Sequence, residues 1–439
     1  MISINKLNDV LPKIQQKAVN AWLPPEVHIP IDQDDFCKMN VVVNVGEKIE
    51  EGQIIARDSG ALCNVHSSVP GIVKEIKEIP LPNGKRGTAV SIITEGGFSF
   101  LGKPHKKQPW DFLSGDQLIR LLADKGVVNT FEKPIPMSVE IARRKKYFGN
   151  CNLILRLFDE DPTSCTDSFV AKNYLPEVLE GMSILSTIFA PSSVYVLYDK
   201  TTSMDETVVA VRSLFNTVPF KFVPTDVSKY PQGNRNSLIK VIKNAMNNSF
   251  AVPVTTRDLM VDPVSAYSIS EATTIDQPVI TRFVSICGDA PGMQKVFKAR
   301  IGTPIFNLLQ ECGGLVEKPG KIIINGTLGG KAIHDFATPV CKSTKSVTIT
   351  RRDILPDAQP CECVHCGRCR KICSVQLHPD TLFAKFYKNV QLTKAEINTS
   401  RLCADCRLCN MVCPSRLPLY QTIKQISQIT KIEGFINEE

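Results

Sequence analysis

Toward the end of the sequence the pattern C-x2-C-x2-C-x3-C is written twice, as Cys363, Cys366, Cys369, Cys373 and as Cys403, Cys406, Cys409, Cys413. Three thiolates two residues apart wrap one corner of a cubane, while the fourth points away and reaches a neighbouring cluster, as in two-cluster ferredoxins. The spacing therefore predicts two [4Fe-4S] clusters with exchanged fourth ligands. One takes Cys363, Cys366, Cys369 and Cys413; the other takes Cys403, Cys406, Cys409 and Cys373. The second copy ends in Cys413-Pro414, as the bacterial run does, and the first in Cys373-Ser374. Zinc is the alternative, since paired C-x2-C units also make tetrahedral four-cysteine sites. The third cysteine at equal spacing and the fourth at x3 favour iron-sulfur. Cys361, two residues before the first copy, reads as a free thiol, with a role as alternative ligand left open.

A chain of 439 residues exceeds one core and suggests three or four domains. Of its 16 cysteines, nine fall between 361 and 413 in metal-ligand spacing, which argues for a reducing compartment over a disulfide scaffold. The first 20 residues contain no apolar signal-peptide core, and no stretch supplies the roughly 18 apolar residues of a membrane span. The expectation is a protein without a transmembrane span, soluble or peripheral to a membrane. The formal charge of +8 is not accompanied by a nucleic-acid-binding motif. Part of it is local. Between Cys361 and Leu417 stand nine Lys or Arg against four acids, among them Arg368, Arg370, Lys371 and Arg407. This excess either compensates negative clusters or forms a docking face for an acidic electron carrier.

Residues 20–100 read as short strands with bends at Gly46, Gly52 and Gly71, fitting a small barrel or sandwich. Val65-His66-Ser67-Ser68-Val69-Pro70-Gly71 resembles the turn of lipoyl-like barrel-sandwich hybrid domains. No lysine stands at its tip, so the domain reads as structural, and His66 as a packed or turn histidine. From about 108 to 248, strands at 152–158 and 193–199 alternate with helices at 116–126, 175–190, 204–216 and 234–247, which implies a βαβ sheet of Rossmann-like kind. It contains no G-x-G-x-x-G. Residues 249–352 carry β-rich runs around one helix between Gly302-Thr303-Pro304 and Cys312-Gly313-Gly314, a β-grasp-like pattern with Cys287, Cys312 and Cys341 as small core residues. Residues 355–439 hold the cysteine runs and a final amphipathic helix with Leu419, Ile423, Ile426, Ile429 and Ile432 on one face. That face packs on its own domain or, less favoured, meets a membrane surface or partner. The fold class is thus multidomain α/β and α+β, with boundaries at 1–101, 108–248, 249–352 and 355–439.

This order of modules resembles the RnfC family, the iron-sulfur subunits of the Rnf-type ion-translocating electron-transport complex, over residues 20–425. The resemblance rests on IPIDQ (29–33), GEKIEEGQIIA (46–56), the VHSSVPG turn, Lys229-Tyr230-Pro231-Gln232-Gly233, Arg300-Ile301-Gly302-Thr303-Pro304 and both cysteine runs with Cys413-Pro414-Ser415-Arg416. It implies a peripheral iron-sulfur subunit on the cytoplasmic face of the cell membrane, working with membrane subunits and a soluble carrier such as a flavodoxin or ferredoxin. In that family the α/β domain carries a glycine-rich loop, GLGGAGFPT, and an acidic NGAECEP segment for flavin and NADH. The matching positions here are Asn129–Met137 (NTFEKPIPM) and Arg156–Pro162 (RLFDEDP), with Asp159 and Asp161 in the acidic places. Without glycine the backbone neither approaches a phosphate closely nor takes positive φ, so neither FMN nor NADH is expected there.

Three functions remain in play from the sequence. The leading one is an electron-transfer subunit of a membrane redox complex. The second is a soluble cobalamin-reductase-like enzyme; there, however, the cluster segment precedes the β-grasp module. The third is a scaffold with structural clusters only.

Overall fold

The computed structural model describes residues 2–3, 12, 17–33, 37–60, 62–103, 106–148, 150–202, 218–246, 253–351 and 359–429. The helix expected at 204–216 and the end of the last helix, with Ile432, lie outside these residues.

The N-terminal unit is two small antiparallel sheets face to face. One orders Glu26–Pro30, Arg86–Thr94, Gly71–Pro80 and Lys48–Ile49; the other orders Met39–Val41, Ile54–Asp58 and Asn64–His66. Alternation along the strands sends Val27, Ile29, Val73, Val90 and Ile92 inward from the first sheet, to meet Ile55 and Val65 from the second. The tip of the VHSSVPG turn is not free. Ser67 and Ser68 are fully buried, and the Ser68 hydroxyl donates to Ile301 O at 2.6 Å. A turn sealed against a neighbouring unit has no room for a swinging prosthetic group. His66 is likewise buried, with no hydrogen-bond partner for Nδ1, and burial followed by the charges of Lys342 and Lys125 lowers its pKa from 6.5 to about 3.

The second unit is a parallel sheet in the order Phe220–Thr225, Val194–Asp199, Leu153–Arg156, Leu259–Val261, flanked by helices. Its last strand corrects the boundary expected at 248. Leu259–Val261 pairs with Leu153–Leu155, and the helix Pro263–Thr274, capped by Asp262 with proline in its first turn, packs on the helix Leu175–Phe189 of the same unit. Gly181 permits that approach, because a Cβ there would stand 1.9 Å from Ala266 O. The helix Gly115–Asp124 starts at Ser114 with a capping box closed by Gln117.

The third unit is a mixed six-stranded sheet, Val19–Asn20, Lys295–Arg300, Thr281–Gly288, Ser346–Arg351, Pro319–Ile324 and Lys331–Ile333, around the helix Ile305–Glu311. Cys287, Cys312 and Cys341 are buried in it. Val19–Asn20, from the segment assigned to the first unit, forms its edge strand.

A buried charge network joins the second and third units. Lys345 Nζ reaches Asp167 and Asp262 at 2.9 Å each, Arg156 reaches Asp167 at 3.2 Å, and Arg282 donates to Thr130 Oγ1, which donates to Asp262 at 2.8 Å. Burial raises the Asp262 carboxyl, but Lys345 and Arg282 outweigh it and hold the group ionised. A latch lies beside the network. Asp161 accepts from Leu328 N at 2.8 Å and Gly329 N at 2.7 Å, while Gly326, at φ 90°, lies so near that a Cβ would meet the carboxyl at 2.4 Å.

Removing one partner of a buried ionic network strands the others. Asp262→Ala should cost about 3–5 kcal/mol in chemical denaturation. A loss under about 1 kcal/mol would show that the network bears little of the interface. For His66 the sign is fixed by the lowered folded pKa: between pH 6.5 and 3 the unfolded chain binds the extra proton, so stability falls as pH falls. From pH 6.5 to 5 this residue should cost about 2 kcal/mol. His66→Gln should flatten the denaturation midpoint against pH over that interval.

Candidate metal centre

The two cysteine runs are copies 40 residues apart, and the copy extends well beyond the cysteines. Left-handed backbone recurs in register at His365 and Asp405 (φ 51° and 54°), at Gly367 and Arg407 (68° and 55°), and at Gln376 and Arg416 (58° and 54°). Short helices follow at Arg368–Ile372 and Leu408–Met411. Longer ones come at Pro379–Tyr387 and Leu419–Ser427, which pack on one another. In each run one left-handed residue stands between each successive pair of the first three cysteines, turning the chain there. Leu377, Leu382, Leu417, Leu419, Ile423 and Ile426 are buried between the copies, and the last helix packs on its own unit as expected.

A small cavity is lined by Cys363, Cys366, Cys369 and Cys413, together with Val364, Pro414, Leu417, Leu419 and Asp380. Three cysteines of the first run thus meet the last of the second. The reciprocal set also comes together: Cys373 lies within electrostatic reach of Cys406 and Cys409, and Cys409 within reach of Cys403. Leu377 N donates to Cys373 Sγ at 3.2 Å. As bare thiols these groups resist ionisation, burial pushing Cys403 up to about 11 and Cys409 to about 12. A bound metal reverses this by deprotonating a coordinating thiol outright. Among the described residues no three His, Cys, Asp or Glu side chains converge on a single ion. The one set of four sulfurs that lines a space, Cys363, Cys366, Cys369 and Cys413, does so in apolar surroundings. Cys361 is exposed, its amide donating to Ser415 O at 3.0 Å.

The expected basic face divides. Arg368 and Lys371 are exposed, but Arg370 is held on Asp380 at 2.7 and 2.9 Å. Arg407 has turned inward to Gly330 O, with its guanidinium 4.9 Å from the Tyr420 ring. It is a junction residue, not part of an open face. The Tyr230 hydroxyl also reaches this junction, donating to Cys406 O at 3.1 Å. Neither contact carries a sequence signal, because each joins residues far apart in the chain.

The segment matching the flavin loop is closed on itself. Val128–Asn129 pairs antiparallel with Ile135–Pro136, and Phe131 is buried with the guanidinium of Arg156 at 4.5 Å and that of Arg235 at 5.6 Å. The acidic segment is also engaged by protein. Asp159 accepts from Asp167 N and Ser168 N at 3.0 Å each, and Asp161 holds the loop at Leu328 and Gly329.

Residues 13–97 match the family described as the RnfC barrel sandwich hybrid domain. The chain is 26% identical over 386 residues to the RnfC-type subunit of the proton-translocating ferredoxin:NAD(+) oxidoreductase complex of Clostridium ljungdahlii, covering 86% of this chain and 82% of that one. It is 24% identical over 381 residues to the corresponding subunit of the Na(+)-translocating complex of Acetobacterium woodii, covering 86% and 84%. Against the corresponding subunit of the ion-translocating oxidoreductase complex of Pasteurella multocida it is 26% identical over 94% of its length, which is 49% of the relative. Among solved structures, an NAD+-reducing [NiFe]-hydrogenase in the H2-reduced state aligns with TM-score 0.48 at 10% identity, over 75% of this chain and 67% of that one. The chain thus carries a match to the RnfC barrel sandwich hybrid domain at its N-terminus and is similar, at 24–26% identity over most of its length, to C subunits of ion-translocating oxidoreductase complexes.

Proposed function

We propose that the chain is the iron-sulfur electron-transfer subunit of a membrane-bound, ion-translocating oxidoreductase complex, relaying electrons between a soluble carrier and membrane subunits. The observation that carries this is the cavity in which Cys363, Cys366 and Cys369 meet Cys413. Four sulfurs drawn from two copies of one motif are what a pair of clusters with exchanged ligands requires. In this reading the first [4Fe-4S] cluster is held by Cys363, Cys366, Cys369 and Cys413, and the second by Cys403, Cys406, Cys409 and Cys373. Bound there, each supplies one-electron transfer. The chain's residues do the rest: the thiolates fix the spacing, the buried Leu417 and Leu419 exclude water, and the amide of Leu377 donates to a ligand sulfur, which tunes potential.

We read the second unit as Rossmann-like, the third as a β-grasp and the fourth as ferredoxin-like. The chain works as a peripheral subunit on the cytoplasmic face, in keeping with the lack, among the described residues, of any helix long and apolar enough to cross a membrane. Arg368 and Lys371, beside the first cysteine set, form the approach for an acidic carrier of flavodoxin or ferredoxin type. Phe131 and Glu132 stand where a flavin phosphate would need glycine, so the hairpin takes no FMN.

Anaerobically purified protein should contain about eight irons and eight labile sulfides per chain; zinc in their place would overturn the assignment. In Cys373→Ser, low-temperature EPR should show the disturbance in the cluster held by Cys403, Cys406 and Cys409. If the signal altered is the one belonging to Cys363, Cys366 and Cys369, ligation is local and not exchanged. Reversing Arg368 and Lys371 to glutamate should slow reduction by an acidic carrier roughly tenfold at low salt, the gap closing as salt screens it. Equal rates across a salt series would leave charge compensation as the role of these residues.

A further inference from the structure

The two copies of the cysteine motif are not electrostatically equal. At positions 40 residues apart, Gly367 matches Arg407, Asp380 matches Tyr420 and Ala384 matches Lys424. In the other direction, Arg370 matches Asn410 and His365 matches Asp405. Around the first set the charges close on themselves. Arg370 lies within electrostatic reach of Cys363 and Cys369, but Asp380, which lines the same cavity, holds its guanidinium at 2.7 and 2.9 Å. The other cations of that copy, Arg368 and Lys371, are exposed, where salt screens them.

Around Cys403, Cys406, Cys409 and Cys373, two cations share one carboxylate. The helix Leu419–Ser427 carries Tyr420 and Lys424 one turn apart, and Tyr420 N fixes its start by donating to Asn410 Oδ1 at 2.7 Å. The guanidinium of Arg407 stands 4.9 Å from the centre of the Tyr420 ring, and Lys424 Nζ stands 6.0 Å from it. Lys424 reaches Asp405 at 2.6 Å, and both groups lie within electrostatic reach of Cys403. Arg407 makes no ion pair among the described residues: it donates to Gly330 O, and its Nε is buried without a partner. Across the junction, Asp161 is committed to Leu328 N and Gly329 N, and Glu160 faces Arg156 at 3.8 Å. The second set thus keeps beside it one positive charge that no carboxylate cancels.

Local charge, hydrogen bonds to sulfur and exposure to water set how readily a thiolate-held cluster accepts an electron. Exposure favours the first set, because water solvates the added charge and Cys366 is exposed while Cys403 and Cys406 are half-buried. Charge favours the second, and a half-buried charge is screened less than one in water. We propose that Lys424 and Arg407, gathered on the Tyr420 ring, are potential-setting residues of the second cysteine set, their uncancelled charge favouring an added electron on what that set holds. The inference rests on the cluster assignment given under Proposed function and adds to it the residues that make the two sets unequal.

The test is EPR-monitored redox poising of the full-length protein purified anaerobically, the second-set signal being the one that Cys373→Ser disturbs. At the potential where that signal is half reduced in the wild type, Lys424→Gln and Arg407→Gln should each lower its reduced-to-oxidised ratio at least about threefold. The two together should lower it about tenfold, which is about 59 mV for one electron. Asp405→Asn should move the ratio the opposite way. Lys424→Arg, which keeps the charge, should stay within about twofold of the wild type. The first-set signal should move with none of these, but Asp380→Asn, which leaves Arg370 uncancelled, should raise its ratio about threefold. Damage to packing would not give shifts of opposite sign at Lys424 and Asp405. An unmoved second-set signal in both glutamine variants, or shifts of the same sign in Lys424→Gln and Asp405→Asn, would overturn the inference and leave the clusters in place. A chain purified without iron would overturn the cluster assignment, and the inference with it.

Discussion

The meeting of Cys413 with Cys363, Cys366 and Cys369 ties together two segments separated by some 40 residues of helix and loop, and it constrains everything around it. The last cysteine of one copy lines the cavity of the other, and the helices Pro379–Tyr387 and Leu419–Ser427 pack on one another, Leu419 reaching the cavity wall. The buried leucines and isoleucines of the unit close around that meeting point. A core of this size is small.

The same unit is attached to the body by few but specific contacts. Asp161 of the parallel-sheet unit holds the amides of Leu328 and Gly329; the carbonyl of Gly330, one residue on, receives Arg407; and Tyr230 reaches the carbonyl of Cys406. Three units therefore converge on one glycine-rich loop, and Gly326 is irreplaceable there on steric grounds. Arg407 follows Cys406 directly, so any displacement of that loop is transmitted to the second cysteine set. The buried network around Lys345 braces the other side of this junction, keeping the parallel and mixed sheets in fixed relation.

Features with local chemistry are legible in the sequence. Cysteine spacing announces the paired sets. The apolar periodicity of Leu175–Phe189 announces a buried helix, and proline and glycine mark the ends of Ile305–Glu311. Other features are not, for reasons of length and distance. Leu259–Val261 is a three-residue strand, too short to display a period, so the sequence pattern ends the parallel-sheet unit too early. Arg407 lies in a basic stretch and reads there like Arg368 and Lys371. Only the fold reveals that the 40-residue repeat puts it on the side facing the body. Phe131 is recognisable as a bulky residue where a loop needs glycine, but its seat between two guanidinium groups depends on residues 156 and 235.

The hairpin around Phe131 and the C-terminal unit differ in what they need in order to be finished. The first is complete as protein: its backbone pairs with itself, its ring lies between Arg156 and Arg235, and Glu132 closes on Arg235 at 3.0 Å. The second leaves a space walled by thiols; on the reading proposed above, completing that small domain would depend on a guest, whereas the hairpin depends on none.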